Sequence, residues 1–389
     1  VSDSRAVLLV SPYGGEYGPP RTLEHAARAV VLAGYEPVCV VRPGAQLTQA
    51  LTDAGVRTHV VAKLGTVPRT MRPWRLGRFL ADHLRAAAEV ARIARVERAV
   101  MIYSISEATF AGGIAARRAK LPSLVHVIGM SIRSPAWIGR PYVSLLDRLT
   151  SHFVACSSAA AEMLVDFGVH GERIDVTHNS IPIAAVDATD GVADLGRAGP
   201  SVGMIAAYDA RKGHEMFVET AARLAARFPE VCFYMVGGVI RSHPESAAFE
   251  SAVRGRIAQL GLEDRVIQVG FVSSPEVYRW IRAMDVVVVP SRTEAFAHVV
   301  LEAMACGKPI VATGIEGNLD AFVHGESGLY ADHSPESLAE AIGRLLDDPA
   351  RAEEIGGAAR VRAEMFFDEE VSLPALADTI RRVIEARGP

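Results

Sequence analysis

Two α/β domains, each wound on a parallel sheet, are what this 389-residue sequence predicts, on three observations. Short apolar runs alternate with longer amphipathic stretches, the alternation lapses once and then restarts, and the length accommodates two cores of roughly 100–200 residues. In the first half Ala6–Val10, Pro37–Val41, Ala99–Tyr103, Ser123–Val127, His152–Ala155 and Ile174–Thr177 read as buried strands, each followed by helix-like sequence. From Pro182 to Pro200 alanine, aspartate, glycine and threonine replace the long aliphatic residues, which marks a linker. Beyond it Ser201–Ala206, Val231–Val236, Val266–Val269, Asp285–Val289 and Pro309–Ala312 read as a second set of strands, with helices expected to open near Gly213, Ser246, Pro275, His298 and Glu316. A last helical segment, about 369–386, suits either domain. Ligands of such folds are expected beyond the carboxyl ends of the strands and in the cleft between domains.

Half of the residues are hydrophobic and 22% are charged, with 33 glycines and 21 prolines, which excludes disordered, collagen-like and coiled-coil classes. The net charge of −4 is uneven: residues 1–183 carry 21 Lys and Arg against 14 Asp and Glu, and the remainder carries 20 against 31. A basic first half suits an anionic ligand or a membrane surface, but it is too diffuse to indicate nucleic acid. Cys39, Cys156, Cys232 and Cys306 stand far apart with no Cys-x-x-Cys pair, so neither a zinc site nor a disulfide framework is expected. No apolar run nears the ~18 residues of a membrane span, and the first residues lack a small-residue cleavage site, so a cytoplasmic location is expected.

Three turns carry residues with chemistry. The first strand runs into Ser11-Pro-Tyr-Gly-Gly-Glu-Tyr-Gly-Pro-Pro20, with a helix expected from Arg21 or Thr22. A glycine-rich strand-to-helix turn can bring backbone N–H groups to an anion, or can be a tight turn with no ligand. Tyr208-Asp-Ala-Arg-Lys-Gly213 places Arg211 and Lys212 at a helix start, where cations oppose the dipole at a cost of roughly 0.3–1 kcal/mol each. A bound phosphate offsets that cost; a solvated turn is the other reading. In Asp285-Val-Val-Val-Val-Pro-Ser-Arg-Thr-Glu-Ala-Phe-Ala-His-Val-Val-Leu-Glu-Ala-Met-Ala-Cys-Gly-Lys-Pro309, Glu294 falls in the turn after a strand and Glu302 about one turn into a helix. Amides of Ala297, His298 and Val299 at that helix start suit a diphosphate, and two carboxylates suit vicinal hydroxyls of a ribose or hexose. Without a ligand, Glu294 is an N-terminal cap and Glu302 a surface glutamate.

The Glu294-x7-Glu302 spacing inside Pro-Ser-x-x-Glu-x-Phe-x5-Glu-Ala-Met-Ala-x-Gly-x-Pro resembles the signature of the retaining group 1 (family 4) glycosyltransferases of GT-B architecture. Leu124-Val-His126, Ala155-Cys-Ser-Ser158, His178-Asn-Ser-Ile181, Arg211-Lys-Gly213, Gly237-Gly238, Val269-Gly-Phe-Val272 and Gly314-Ile-Glu-Gly317 extend the likeness over nearly the whole chain. The resemblance implies two Rossmann-like domains facing across a cleft. Residues 1–182, with a returning helix at about 367–389, would take the acceptor; 183–199 would link; 200–366 would hold the nucleotide-sugar. It further implies that Lys212, helped by Arg211, neutralises the diphosphate and that Glu302 accepts from the ribose. Glu294, with the amides of Phe296 and Ala297, would hold the hexose, flanked by His298 and Val299. His126 would face the transferred sugar, the loop around Gly15 and Gly18 would approach the phosphates, and the backbone of Gly270, Phe271 and Val272 would read the base.

The sequence departs from the family in three places. Ala206 and Ala207 stand where a diphosphate-binding arginine is usual, Ala297 replaces a common glycine, and Asp320 replaces a glutamate. No Asp-x-Asp occurs, so metal-independent transfer without a cofactor is expected, with a UDP-sugar the favoured donor. Catalytic roles then fall to Glu294, His126 and Lys212. The acceptor side is less specific: Tyr17, Arg133, Trp137 and Arg140 qualify by position. Between Lys63 and Arg98 nine basic residues face three acidic ones, with Trp74, Phe79 and Leu80 interleaved. That segment reads as a solvated face or as a peripheral contact with the inner membrane surface for a lipid-linked acceptor. A nucleotide-sugar epimerase, a phosphorylase and a non-catalytic sugar-nucleotide-binding module are the competing readings.

Overall fold

The computed structural model describes residues 5–13, 19–67, 76–129, 136–240 and 243–386, and the chain divides into two compact units. Unit 1 comprises residues 1–179 with 370–389, and unit 2 comprises 180–369.

In unit 1 strands and helices alternate: β1 Ala6–Ser11, α1 Pro19–Leu32, β2 Glu36–Val41, α2 Ala45–Asp53, β3 Arg57–Val60, α3 Leu76–Val96, β4 Ala99–Ser104, α4 Ala111–Ala119, β5 Ser123–Val127, α5 Ala136–Leu149, β6 His152–Ala155, α6 Ser158–Asp166 and β7 Ile174–Val176. The seven strands lie parallel in the order β3-β2-β1-β4-β5-β6-β7. Helices cover both faces, which is why the central strands are apolar throughout rather than alternating. Along β1, Val7 and Leu9 enter one core with α1 and α2, and Ala6, Leu8 and Val10 enter another with α3 and α4. The expected strands are present within a residue or two. β3 was not expected, because Arg-Thr-His-Val is an edge strand with little apolar content. The first helix opens at Pro19, two residues before Arg21, since proline suits a first turn that needs no N–H partner.

Unit 2 follows the same alternation: α7 Ile183–Asp187, β8 Ser201–Ile205, α8 His214–Arg227, β9 Cys232–Val236, α9 Pro244–Gln259, β10 Val266–Gly270, α10 Ser274–Ala283, β11 Val286–Val289, α11 His298–Ala305, β12 Ile310–Thr313, β13 Leu329–Ala331, α12 Pro335–Asp347 and α13 Pro349–Phe366. The sheet order is β10-β9-β8-β11-β12-β13. Two expectations are corrected here. Residues 183–199 belong to unit 2 rather than forming a separate linker: Arg282 donates to the carbonyls of Val186 (2.6 Å) and Thr189, Arg360 holds Asp187 at 2.8 Å, and the Tyr234 hydroxyl donates to the Leu195 carbonyl at 3.1 Å. At Glu316 only a five-residue 3-10 turn, Glu316–Asp320, forms, because the chain must close there against the loop after β11.

The last helix, α14 Glu369–Glu385, returns to unit 1, where Leu373, Leu376, Ala377, Ile380 and Val383 complete the core that holds Val7 and Leu9. Its polar side is fixed by Asp175, which accepts from the Thr379 hydroxyl at 2.6 Å and pairs with Arg382. On α3 Arg78, Leu80, Leu84, Arg85 and Arg92 are exposed, and Asp82 draws Lys63 (3.5 Å), Arg78 (3.9 Å) and Arg85 (3.4 Å) to itself. Part of the basic segment is thereby neutralised; Arg69, Arg72, Trp74 and Arg75 lie outside the described residues. Among the described residues no helix is long and apolar enough to cross a membrane.

Candidate active site

In unit 2 the chain order reverses between β8 and β11, and the turns that leave the carboxyl ends of these two strands meet. After β8 a 3-10 turn, Ala210–Lys212, is capped by Asp209, whose carboxylate accepts the Arg211 N–H at 2.9 Å. Gly213 then adopts φ +77°, and a Cβ there would lie 1.8 Å from the Pro290 carbonyl oxygen. Only glycine lets the turn lie so close to the one after β11. The Arg292 N–H donates to the Arg211 carbonyl at 2.7 Å. This contact places Lys212 Nζ 2.6 Å from the Glu294 carboxylate, with both side chains partly buried.

Glu294 is held from the other side by Glu316. The Glu316 carboxylate accepts the Glu294 N–H at 2.9 Å and the Thr293 hydroxyl at 2.7 Å, and the Gly317 N–H donates back to the Glu294 carbonyl at 3.2 Å. Glu316 has φ +40°, one of three non-glycine residues in the left-handed region among the described residues. Such backbone costs an L-residue about 1–2 kcal/mol. Glu316→Ala is therefore expected to cost about 1 kcal/mol more than Glu316→Gly in denaturant unfolding, since both lose the carboxylate and only glycine relieves the backbone. Equal losses would show that position 316 is unstrained.

Beyond Glu294, Phe296 packs on Phe367 with ring centroids 5.6 Å apart. Ala297 precedes α11 and offers its first amides no capping side chain; His298 and Val299 begin the helix, half-buried. Glu302 is 5% exposed, so it is not a surface glutamate. Along the sheet, Gly270 ends β10 at φ +87° and its carbonyl accepts the Gly237 N–H at 2.9 Å. Phe271 stands 66% exposed there, over Gly238, with Val272 half-buried beside it.

The charges are already paired. Arg211 turns its guanidinium onto Asp209: burial pushes that carboxyl up, but the Arg211 side chain and amide outweigh it and hold it at about 2. Ala206 and Ala207 bring no cation, and Lys212 and Arg211 each already sit on a carboxylate.

In unit 1 His126 lies in β5, 3% exposed, with Nδ1 2.8 Å from the Tyr103 hydroxyl. Burial, then the charge of His25, lowers it to about 3, so the ring is neutral at any physiological pH. Glu107, after β4, accepts the Ile128 N–H at 3.0 Å, and burial pushes its carboxyl up to about 7. Trp137 is 76% exposed on α5, and Arg140 is exposed on the same helix. Gly15, Tyr17, Gly18 and Arg133 lie outside the described residues.

Two family models divide the chain between them: Glycosyl transferase 4-like domain matches residues 17–180, and Glycosyl transferases group 1 matches residues 196–362. The chain belongs to the group 1 glycosyltransferases. Its curated relatives include the D-inositol 3-phosphate glycosyltransferase of Pseudarthrobacter chlorophenolicus, 34% identical over 215 residues, 54% of this chain and 50% of that protein. The protein of the same name from Acidothermus cellulolyticus is 32% identical over 240 residues, 59% of this chain and 52% of that protein. This group 1 glycosyltransferase thus spans about half the length of the curated relatives it matches. Its fold is that of Anabaena HepE, solved with UDP and glucose (TM-score 0.80, 22% identity, 97% of this chain and 99% of that one). Sucrose-phosphate synthase from Thermosynechococcus elongatus shares it as well (TM-score 0.80, 20% identity, 98% and 100%). Both likenesses establish the GT-B architecture.

In this glycosyltransferase Lys212, Glu294, Phe296, Ala297, His298 and Glu302 come together around the reversal point, with Gly270, Phe271 and Val272 further along the same sheet edge. Sequence reasoning missed Glu316, Tyr103 and Asp209. Glu316 stands in the matching stretch Gly314-Ile-Glu-Gly317, but nothing in a sequence marks a glutamate as left-handed. Tyr103 showed only as the end of an apolar run.

Proposed function

We propose that this chain transfers a hexose-type sugar from a nucleotide-diphosphate sugar, a UDP-sugar, to an acceptor hydroxyl, with retention at the anomeric carbon and without a metal ion. The Lys212–Glu294 pair carries the reading: a cation for the diphosphate and a carboxylate for hexose hydroxyls stand one hydrogen bond apart, next to the start of α11. The acceptor oxygen attacks the anomeric carbon on the face from which the diphosphate leaves. The bond from that carbon to the diphosphate breaks through an oxocarbenium-like state, and the acceptor proton passes to the departing diphosphate oxygen. Lys212 stabilises the charge that develops on the leaving group. Glu302 takes the ribose hydroxyls, the backbone of Gly270, Phe271 and Val272 takes the base, and unit 1 takes the acceptor, with His126 facing the transferred sugar.

The UDP and UDP-glucose complexes of the Anabaena protein support the donor. The absence of Asp-x-Asp supports metal independence. The excess of basic residues in 1–183, with relatives named D-inositol 3-phosphate glycosyltransferases, supports an anionic, phosphorylated acceptor. Thermal unfolding with UDP, GDP, ADP and CMP, each with and without EDTA, tests the donor side. A ligand at 100 times its dissociation constant adds about 2.7 kcal/mol. UDP is expected to raise the midpoint in the presence of EDTA, and the shift is expected to vanish in Glu302→Ala. No shift with any nucleotide would overturn the reading.

A further inference from the structure

The Tyr103 hydroxyl and His126 Nδ1 form a buried pair, 2.8 Å apart, with the two rings only 6° from parallel. Among the described residues the hydroxyl has no other hydrogen-bond partner, and His126 Nε2 is buried without any. A neutral imidazole has one N–H and one lone pair, so two arrangements are open. If Nδ1 carried the proton and donated to Tyr103, the phenol proton and the Nε2 lone pair would both be left unsatisfied. If the phenol donates to Nδ1, the N–H at Nε2 and the lone pairs of the phenol oxygen are left, and each buried polar group without a partner is costly. Each arrangement leaves one donor and one acceptor unmet, but a ring nitrogen is a strong acceptor and a phenol oxygen, its lone pair drawn into the ring, a weak one, so the second arrangement makes the better bond and forfeits the lesser.

We propose that Tyr103 is a positioning residue that donates its hydroxyl proton to His126 Nδ1 and so fixes the ring as the Nε2–H tautomer, a hydrogen-bond donor whose one lone pair is taken up by the tyrosine and does not act as a base. Burial keeps the phenol protonated and the imidazole neutral, so neither group leaves this state near neutral pH. The end of β4 secures the end of β5 a second time, because Glu107 accepts the backbone N–H of Ile128, two residues beyond His126. The waiting Nε2–H requires an acceptor from the ligand. A sugar hydroxyl oxygen or a phosphate oxygen meets that need, whereas a group that must lose a proton does not. This use of the N–H rests on the proposed placement of His126 against the transferred sugar; the tautomer itself does not.

Long-range 1H–15N spectra of the full chain, labelled at its histidines and with the His126 signal assigned through His126→Ala, read the tautomer with no substrate present. The expected result is a His126 ring protonated at Nε2 alone, with Nδ1 shifted by an accepted hydrogen bond. In Tyr103→Phe that shift is lost and the ring relaxes to a mixture of tautomers, while the other histidine signals stay in place. A wild-type ring protonated at Nδ1, or a His126 signal unchanged in Tyr103→Phe, overturns the proposal. A merely structural tyrosine would disturb the neighbouring signals without changing which nitrogen holds the proton. The loss of one neutral hydrogen bond in the same variant is expected to slow UDP release from UDP-glucose by about tenfold with little change in KM. An Nε2–H ring combined with full turnover in His126→Ala would overturn the placement of His126 and leave the tautomer standing.

Discussion

Lys212→Ala is expected to lower turnover of the sugar nucleotide by roughly 10²–10³-fold, or about 2.7–4 kcal/mol of transition-state stabilisation. In the proposed reaction the leaving diphosphate gains negative charge as its bond breaks, and Lys212 is the cation that the turn after β8 delivers to the reversal point of the sheet. The variant also removes the partner of Glu294, 2.6 Å away, leaving a partly buried carboxylate to repel the incoming diphosphate. Two consequences separate these effects. In Lys212→Ala, UDP affinity falls along with turnover; in the double variant Lys212→Ala/Glu294→Ala, affinity recovers in part while turnover stays low, because the two residues are coupled. Calorimetric titration with UDP and a UDP-release assay measure the two quantities. Turnover near that of the wild type in Lys212→Ala would assign the diphosphate to other cations and remove the site from this turn.

The second large effect is structural. Leu376 on α14 is fully buried in the core of unit 1, and Leu376→Ala is expected to cost about 2–5 kcal/mol there. Leu376→Met, which conserves volume, is expected to cost less than about 1.5 kcal/mol. Native-state hydrogen exchange distinguishes the units: the amides of Val7–Leu9 in β1 should exchange faster in Leu376→Ala, and those of β8 should not. Equal acceleration in both strands would mean that the helix is not a part of one core.

The fold was legible because its strands are buried on both faces, so that Ala6–Val10 and Val286–Val289 appear as unbroken apolar runs. Two of the four edge strands lack that mark: Arg57–Val60 and Leu329–Ala331 are short or polar, and each is defined by its neighbour rather than by its own residues. The candidate site was legible wherever a residue type and a spacing carry the chemistry, as with Lys212 after one strand and Glu294 and Glu302 around one helix start. What holds those residues in place was not. The close approach at Gly213, the left-handed Glu316 and the Tyr103 hydrogen bond are each made by segments distant in the chain. Such contacts exist only once the sheet has assembled, and single residues do not announce them.

The return of α14 also sets an order of assembly. The other elements of unit 1 end at Val176, yet its core is closed by residues 373–383, so the whole of 180–369 is made in between. At about 5–20 residues per second that interval lasts roughly 10–40 s. Unit 2 is contiguous and can fold as it leaves the ribosome. Unit 1, first to emerge, has to wait with the groove that α14 will fill still open. In the nascent chain it is the half that keeps apolar core surface uncovered until the last helix is made.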